Sequence, residues 1–579
     1  MPMNARDVSR ILEEIAILLE LKGENPFKAR AYQNAARTLT GLADDLNEIV
    51  ADGRIHAIKG IGAGLAEKIA ELVKTGKLPY YEELRASLPE GLPELLELPG
   101  LGPKRVKAIY EKLGVTNLGE LEYACRENRL AALDGFGKKT QENALAAIAL
   151  RRKHRERHLY HHAFAAAEPL LSALRRQEGV IRAELAGSLR RHRETIKDVD
   201  LLACARRDAR PAITAAFVAL PDVEGVVAQG DTKSSVRLKS GINADLRLVD
   251  EEEFPYALNY FTGSKEHNTV MRGRAKERGL KLNEYGLSRV DTEERVVCAD
   301  EAEIYRALGL SYVPPELRED LGEFDAAASG TLPRLVERSD IRGILHVHTT
   351  ASDGVNALEE LVEAVRSMGM SYLGVCDHSQ SAGYAGGLRP ERVRAQWEEI
   401  DRLNAKLGDF VVLKGIESDI KPDGSLDYDE ETLAGFDFVI ASIHSKLSMS
   451  EAEATERILR AIRHPTVTIL GHPTGRLLLA REGYPLDMPT VIDEAARQGV
   501  AIELNASPHR LDLDWRWCRR AKSKGVRIAI NPDAHSTRDL RDIEIGVAVG
   551  RKGWLEAGDV LNALPVDRLR EAMRRARCV

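Results

Sequence analysis

The sequence predicts a multidomain chain: an all-α N-terminal region, a mixed α+β middle region and a C-terminal α/β barrel of seven parallel strands. Three observations carry this reading. A helical pattern up to about residue 150 is broken by three glycine hairpins of one design; short β-rich runs follow among helical ones; after Asp340, seven apolar β-branched runs alternate with helical stretches. At 579 residues the chain is too long for a single hydrophobic core. Apolar residues at 44% and charged residues at 30% describe ordinary globular material.

No run of about 18 or more apolar residues occurs, so no membrane partner is expected. The opening stretch MPMNARDVSRILEEIAILLE reads as an amphipathic helix carrying acidic residues, unlike a secretory leader. Cys125, Cys204, Cys298, Cys376, Cys518 and Cys578 lie far apart with no CxxC pair, which predicts free thiols in a reducing, cytoplasmic setting. The net charge of −7 does not exclude nucleic acid, because a nucleic-acid footprint is a local patch. Each basic run, at residues 151–155 and 190–193, taken alone reads as a solvated helix face.

In the helical region the hairpins are Ile58-Lys59-Gly60-Ile61-Gly62, Leu98-Pro99-Gly100-Leu101-Gly102 and Leu133-Asp134-Gly135-Phe136-Gly137. Each precedes an apolar-periodic helix. Glycine permits the tight turn and lets N–H groups at the next helix approach a phosphate. One such GxG is common at helix ends, but three with matching flanks form the helix-hairpin-helix pattern, which holds DNA by its backbone.

The middle region has β-rich runs at 199–203, 235–238 and 244–249. Gly187-Ser188-Leu189-Arg190-Arg191 precedes Asp198-Val199-Asp200, whose two carboxylates share one strand face; Asp245 lies on a later run able to pair beside them. Three converging carboxylates are costly without cations. Residues 321–340, rich in small residues, read as a linker.

The seven runs after Asp340 span 344–347, 372–376, 410–413, 438–443, 466–470, 500–504 and 526–530. In a parallel β/α barrel, chemistry gathers at the C-terminal strand ends. There the sequence places His346, His348, Asp353, His378 (directly after Asp377), Glu417, His444, His472, Asp533 and His535. A lone histidine is usually a satisfied core or surface residue. Six of them with three carboxylates at successive strand ends predict a metal site, and nine ligands exceed the four or so that one zinc takes. Two or three divalent ions fit, with zinc, manganese or iron all compatible with nitrogen and oxygen ligands.

The barrel residues resemble the PHP (polymerase and histidinol phosphatase) family. That resemblance implies a ligand set of His346, His348, Asp353, His378, Glu417, His444, His472, Asp533 and His535, with Pro532 where the family often has serine. The middle region resembles the nucleotidyltransferases, and the chain to about Asp320 resembles DNA polymerase beta and the family X polymerases. Tyr260-Phe261-Thr262-Gly263-Ser264 matches their sugar-contacting motif, followed by Asn268, Arg272 and Asn283-Glu284-Tyr285.

The resemblance implies Mg2+ or Mn2+ on Asp198, Asp200 and Asp245, and nucleotide contacts from Gly187, Ser188, Arg191, Tyr260, Phe261, Gly263, Asn268 and Arg272. Lys197 stands where the beta-type enzymes have glycine. DNA contacts fall on Lys28, Tyr32 and the hairpin glycines Gly60, Gly62, Gly100, Gly102, Gly135 and Gly137; Lys68 occupies the position of the Schiff-base lysine of beta-type deoxyribose phosphate lyases and reads equally well as a helix lysine that meets a phosphate or solvent.

The implied order is a DNA-end-binding domain at 1–90, fingers-type helix-hairpin-helix at 91–155, palm at 156–255, thumb-type subdomain at 256–320, linker at 321–340 and PHP domain at 341–579. This is the order of bacterial family X DNA polymerases with a C-terminal PHP domain. It implies gap filling in DNA repair, a 3'-5' exonuclease or phosphoesterase in the barrel, gapped or nicked DNA and deoxynucleoside triphosphates as partners, and no obligate protein partner. Alternatives are a template-independent nucleotidyltransferase, a DNA-docked phosphoesterase with an inactive polymerase core, and a small-molecule phosphatase. The ligand set by itself fixes no cleavage polarity.

Overall fold

The computed structural model describes residues 3–576 except 41, 43, 44, 59, 90, 127, 128, 132, 134, 155, 156 and 480. Lys59 and Asp134 of the hairpins, Arg155 of the first basic run, the side chains of Arg152, Lys153 and His154, and Cys578 lie outside the described residues. The chain forms two compact units, Met1–Arg155 and Glu156–Val579. No helix among the described residues is long and apolar enough to cross a membrane. The five described cysteines are free and buried.

The first unit is all helical. Ala5–Lys22, Pro26–Thr40, Ala63–Thr75 and Pro79–Ala86 enclose a core that includes Leu12, Ile15, Leu19, Ile69 and Leu72. Pro103–Leu113, Leu118–Arg126 and Lys138–His154 surround a second core around Leu95, Val106, Ile109 and Leu121. The three hairpins share one geometry. Their first glycines, Gly60, Gly100 and Gly135, have φ of 96°, 83° and 83°, in the left-handed region that favours glycine. In each, the residue between the glycines donates its N–H to a carbonyl three residues back: Ile61 to Ile58 (3.1 Å), Leu101 to Leu98 (3.1 Å) and Phe136 to Leu133 (3.0 Å). Open space lies where a Cβ would stand on Gly62, Gly102 and Gly137, each just ahead of a helix.

The second unit begins with a five-stranded sheet in the order Val180–Leu185, Asp198–Ala205, Asn243–Val249, Lys233–Leu238, Val223–Gln229. Only the Asp198 and Asn243 strands run parallel. The two edge strands, Val180–Leu185 and Val223–Gln229, were not among the sequence-predicted runs. Val223–Gln229 is almost wholly exposed and Val180–Leu185 buries only Ala183, so no apolar pattern marks them. A thumb-like part follows, with helix Lys265–Glu277, hairpin Leu280–Asn283/Gly286–Arg289 and helix Glu301–Ala307.

Residues 321–340 differ from the linker expectation. They hold the helix Glu323–Ser329, with Phe324 and Ala327 buried in the thumb core and Glu323 accepting from buried His267 Nδ1 at 2.8 Å. Small residues here let the helix pack closely. The Arg190–Arg193 run also differs from a solvated face: Arg190 pairs with Glu301 (2.6 Å), and Arg191 and Arg193 pair with Glu319 (3.2 and 3.0 Å). Carboxylates distant in sequence draw these arginines inward.

The seven predicted barrel runs become seven parallel strands, neighbouring in chain order: Gly343–Ile344, Tyr372–Val375, Val411–Asp419, Phe438–Ser442, Ile469–Leu470, Ala501–Asn505 and Ile528–Asn531. A parallel bridge between Val347 and Ala534 brings the last strand's end back to the first, so the barrel is nearly closed. One end of its interior is packed by Leu345, Tyr372, Leu413, Phe438 and Ile440, together with Leu569 and Met573 of the helix Val566–Ala576. Polar side chains therefore collect at the opposite, C-terminal end of the strands.

Candidate active sites

Asp198 and Asp200 open their strand, and Asp200 stands in register with Asp245 on the neighbouring parallel strand. The turn after Val180–Leu185 brings Gly187 against them with φ of 60°. A Cβ on Gly187 would stand 1.9 Å from Asp200 Oδ2, so only glycine fits. Burial, followed by the charges of Asp198 and Asp245, pushes the Asp200 carboxyl up to about 7. The triad thus carries more negative charge than the protein around it neutralises, which fits a site built for divalent cations. Lys233 Nζ, which sequence reasoning missed, lies 2.9 Å from Asp245 Oδ2.

Beside the triad, Arg191 donates from Nη1 to the Thr262 carbonyl, and the left-handed Gly263 (φ 67°) follows at the end of the helix Phe254–Thr262. Tyr260 and Phe261 meet edge to face at 5.2 Å, and the Arg247 guanidinium covers Phe261 at 4.2 Å. Asn268 Nδ2 donates to the Tyr260 carbonyl (2.7 Å), while Arg272, one turn later on the same helix face, is exposed. Ser188 is half-buried in the turn and Tyr285 is exposed.

In the first unit, Lys28 and Lys68 converge on Tyr80, with their Nζ atoms 5.2 and 5.4 Å from its ring centre. Tyr32 stacks on Tyr80 at 6.3 Å. Lys68 Nζ also donates to the Gly64 carbonyl (3.4 Å). Tyr80 carries no sequence motif, so nothing in the sequence marked it.

In the barrel, Glu417 is the hub. Its carboxylate lies 2.9 Å from His472 Nε2, 2.9 Å from His378 Nδ1, 3.2 Å from His444 Nε2 and 3.6 Å from His346 Nε2. Asp533 Oδ1 lies 3.1 Å from His348 Nε2 and 3.4 Å from His346 Nε2. Asp353 stands 3.5 Å from both His378 and His535. All nine sequence-predicted ligands therefore meet: eight form three overlapping metal-capable groups, His348/Asp353/His378/His535, His346/His348/Asp533 and His378/Glu417/His444, and His472 joins them through Glu417. His346 Nε2 and His348 Nδ1 are buried without a hydrogen-bond partner, as lone pairs awaiting a cation are. Asp353 and His535, 32% and 38% exposed, mark the open side.

The electrostatics agree. Burial raises the Glu417 carboxyl, but His444, His346 and His378 overcome this and hold it well below the usual range. Burial alone would lower His346; Glu503, Asp533 and Glu417 instead hold it well above the ordinary value. Asp533 itself takes φ of 54°, backbone strain of the kind that clusters at functional sites. Two outer carboxylates escaped sequence reasoning: Glu503, 2.7 Å from His346 Nδ1, and Asp419, 2.6 Å from His444 Nδ1. The Glu417-Ser-Asp419 alternation was the available signal for the second. Asp377, at a run end, binds no ligand group; it accepts from Thr349 N (2.9 Å) and Gln396 Nε2 (2.6 Å), tying down the first loop.

A carboxylate triad on a sheet and a polyhistidine barrel in one compact unit define a nucleotidyltransferase core joined to a phosphoesterase-type barrel. Family comparisons match residues 257–319 to the DNA polymerase beta thumb, 3–78 to a helix-hairpin-helix domain, 92–148 to a SAM-like helix-hairpin-helix tandem and 345–507 to the PHP domain. The chain is 41% identical to DNA polymerase/3'-5' exonuclease PolX of Bacillus subtilis (strain 168) over 563 residues, 97% of this chain and 98% of that protein. Over the barrel it is 28% identical to a probable phosphatase of Thermoanaerobacter sp. (strain X514), across 40% of this chain and 93% of that protein. It is also 26% identical to a probable phosphatase of Shewanella oneidensis, across 35% and 80%. The chain belongs to the family X DNA polymerases that carry a C-terminal PHP domain.

Proposed function

We propose that this chain is a template-directed, gap-filling DNA polymerase of DNA repair whose barrel is a metal-dependent 3'-5' exonuclease or phosphoesterase. The observation that carries the first activity is the Asp198–Asp200–Asp245 triad, packed against a glycine that no other residue can replace. In this reading Asp198 and Asp200 hold Mg2+ or Mn2+, and Asp245 takes the proton from the primer 3'-hydroxyl. Gly187, Ser188 and Arg191 hold the incoming triphosphate. Tyr260 and Phe261 lie under the sugar where a 2'-hydroxyl would crowd; Asn268 fixes Tyr260 through its carbonyl; Arg272 steadies the template. In the barrel, His346, His348, Asp353, His378, Glu417, His444, His472, Asp533 and His535 hold two or three ions. Divalent ions at both centres supply positive charge against phosphate oxygens and acidify the attacking hydroxyl or water. The hairpin glycines and Lys28, Tyr32 and Lys68 hold DNA. The Tyr80 ring face attracts an ammonium ion, which supports phosphate contact by Lys68 rather than Schiff-base chemistry.

Incorporation on a gapped duplex compared with a single strand tests template direction. Asp198→Ala or Asp245→Ala is expected to abolish incorporation while leaving barrel hydrolysis near wild type, because the two clusters use separate residues. Incorporation on the single strand at a rate equal to that in the gap would overturn gap filling. The barrel's likeness to probable phosphatases favours a second reading, action on phosphate monoesters. Duplexes labelled at the 3' or the 5' end, assayed beside a monoester, separate the two: mononucleotides released from the 3' end support the exonuclease.

A further inference from the structure

Lys552 ends the barrel helix Ile543–Lys552, yet its ammonium is fully buried in the polymerase core. Its Nζ has three acceptors: Glu319 Oε1 at 2.6 Å, the Arg191 carbonyl at 3.1 Å and the Glu316 carbonyl at 3.2 Å. The Trp515 ring lies beneath it at 4.7 Å. All three protons of the ammonium are thereby used. Glu319 is the junction, because its Oε1 also accepts from Arg191 Nε (3.2 Å) and its Oε2 from Arg193 Nη1 (3.0 Å).

Arg191 is thus held at Nε by Glu319 and at Nη1 by the Thr262 carbonyl. We propose that Lys552 is a positioning residue for nucleotide addition: a barrel side chain that, through Glu319 and the Arg191 backbone, orients the arginine that receives the triphosphate and shares the carboxylate competing for it. This rests on the reading of Arg191 as a triphosphate contact.

The charge arrangement gives the direction. Glu319 and a bound triphosphate compete for the same guanidinium. With Lys552 present, Glu319 divides its charge among three cations; without it, Glu319 rests on Arg191 and Arg193 alone and binds them more tightly. The Arg191 carbonyl also loses its donor, which loosens the turn that presents the side chain. Barrel chemistry is untouched, because Lys552 contacts none of the nine ligands. Arg551, its neighbour, offers an internal comparison: it pairs with Glu316 (2.6 Å) across the same seam but touches neither Glu319 nor Arg191.

The test is steady-state incorporation on gapped DNA by the full chain, with barrel hydrolysis measured in parallel. Lys552→Met is expected to raise KM for the deoxynucleoside triphosphate about tenfold with kcat within about twofold, as loss of ground-state phosphate binding requires. Adding Glu319→Gln to it is expected to return KM to within about threefold of wild type, because the competing charge is gone. An unchanged KM in Lys552→Met, while Arg191→Ala raises it, overturns the inference alone. An unchanged KM in Arg191→Ala overturns the reading of Arg191 and the inference with it. An equal rise in KM for Arg551→Met overturns it in favour of general loosening of the seam. Should Lys552→Met lose barrel activity as well through misfolding, Glu319→Gln alone decides: KM at or below wild type supports the inference, and a raised KM overturns it.

Discussion

Glu503 Oε1 lies 2.7 Å from Nδ1 of His346, while Nε2 of the same ring faces Asp533 at 3.4 Å and Glu417 at 3.6 Å. The outer carboxylate therefore fixes the tautomer and turns the lone pair of Nε2 towards the cluster. Glu503 also accepts from His472 N (2.8 Å) and Asn531 Nδ2 (3.1 Å), so it links three barrel strands behind the ligands. Asp419 serves His444 in the same way.

Replacing Glu503 by glutamine keeps its shape and removes its charge. Glu503→Gln is expected to weaken metal retention or barrel hydrolysis by roughly 10- to 100-fold, the usual cost of losing an outer-shell partner. Nucleotide incorporation should stay within about twofold, since the two centres share no residue. Metal content of the purified protein and 3'-end hydrolysis measure this, and full metal retention with full hydrolysis would sink it.

Gly187 gives a second prediction. Gly187→Ala puts a methyl group where Asp200 Oδ2 stands, on a backbone with φ of 60°. Incorporation is expected to fall by more than about 100-fold, because misplacement of a metal-binding carboxylate by an ångström is costly. Barrel hydrolysis reports whether the second unit remains folded. Substantial incorporation by Gly187→Ala would show that the turn relaxes.

Much of this was legible in the sequence, for identifiable physical reasons. The seven barrel strands are largely buried on both faces, so they appear as mostly apolar runs whose ends fall at the ligands. Asp198 and Asp200 declared a shared face by their spacing. The edge strands Val180–Leu185 and Val223–Gln229, with Ala183 their one buried residue, had no such pattern to show. Glu319, Lys552, Glu503 and Tyr80 were invisible for another reason: each matters through a contact distant in sequence, 361 residues between Lys552 and Arg191, and no local periodicity encodes that. The helix Glu323–Ser329 looked like a linker because alanine-rich composition is shared by loose segments and closely packed helices.

The pair of lysines over Tyr80 leads to a third prediction, on substrate choice. With Lys28 and Lys68 both directed at one aromatic ring, this surface suits a terminal 5'-phosphate. Wild-type protein is expected to extend a gap bearing a downstream 5'-phosphate in preference to one without it, and the preference should weaken as salt rises. Lys28→Met with Lys68→Met should remove the preference without lowering kcat in the absence of the phosphate. A preference that persists in the double variant would place the phosphate elsewhere.

The fourth prediction concerns acid stability of the palm–thumb contact. Glu301 is buried, and burial by itself raises its carboxyl; Arg318 at 2.6 Å and Arg190 at 2.6 Å outweigh that and bring it down to about 2. A depressed carboxylate contributes stability that is fully present above its unfolded value and is lost as pH falls through the folded one. The ordinary glutamate value of 4.5 and the folded value of about 2 set that window. The difference corresponds to something on the order of 3 kcal/mol at neutral pH. Glu301→Gln removes the charge and leaves Arg318 buried without its counter-ion, so the variant should melt below wild type at pH 7. The gap between the two melting temperatures should shrink steadily as pH falls below 4.5, where Glu301 of the unfolded wild-type chain begins to take up a proton while the folded one stays ionised down to about 2. Calorimetry of both proteins from pH 7 towards pH 3 measures it, and because other carboxylates titrate alike in both, the difference isolates Glu301. A gap that stays constant across that range would mean that the Arg190–Glu301–Arg318 cluster acts through shape rather than charge.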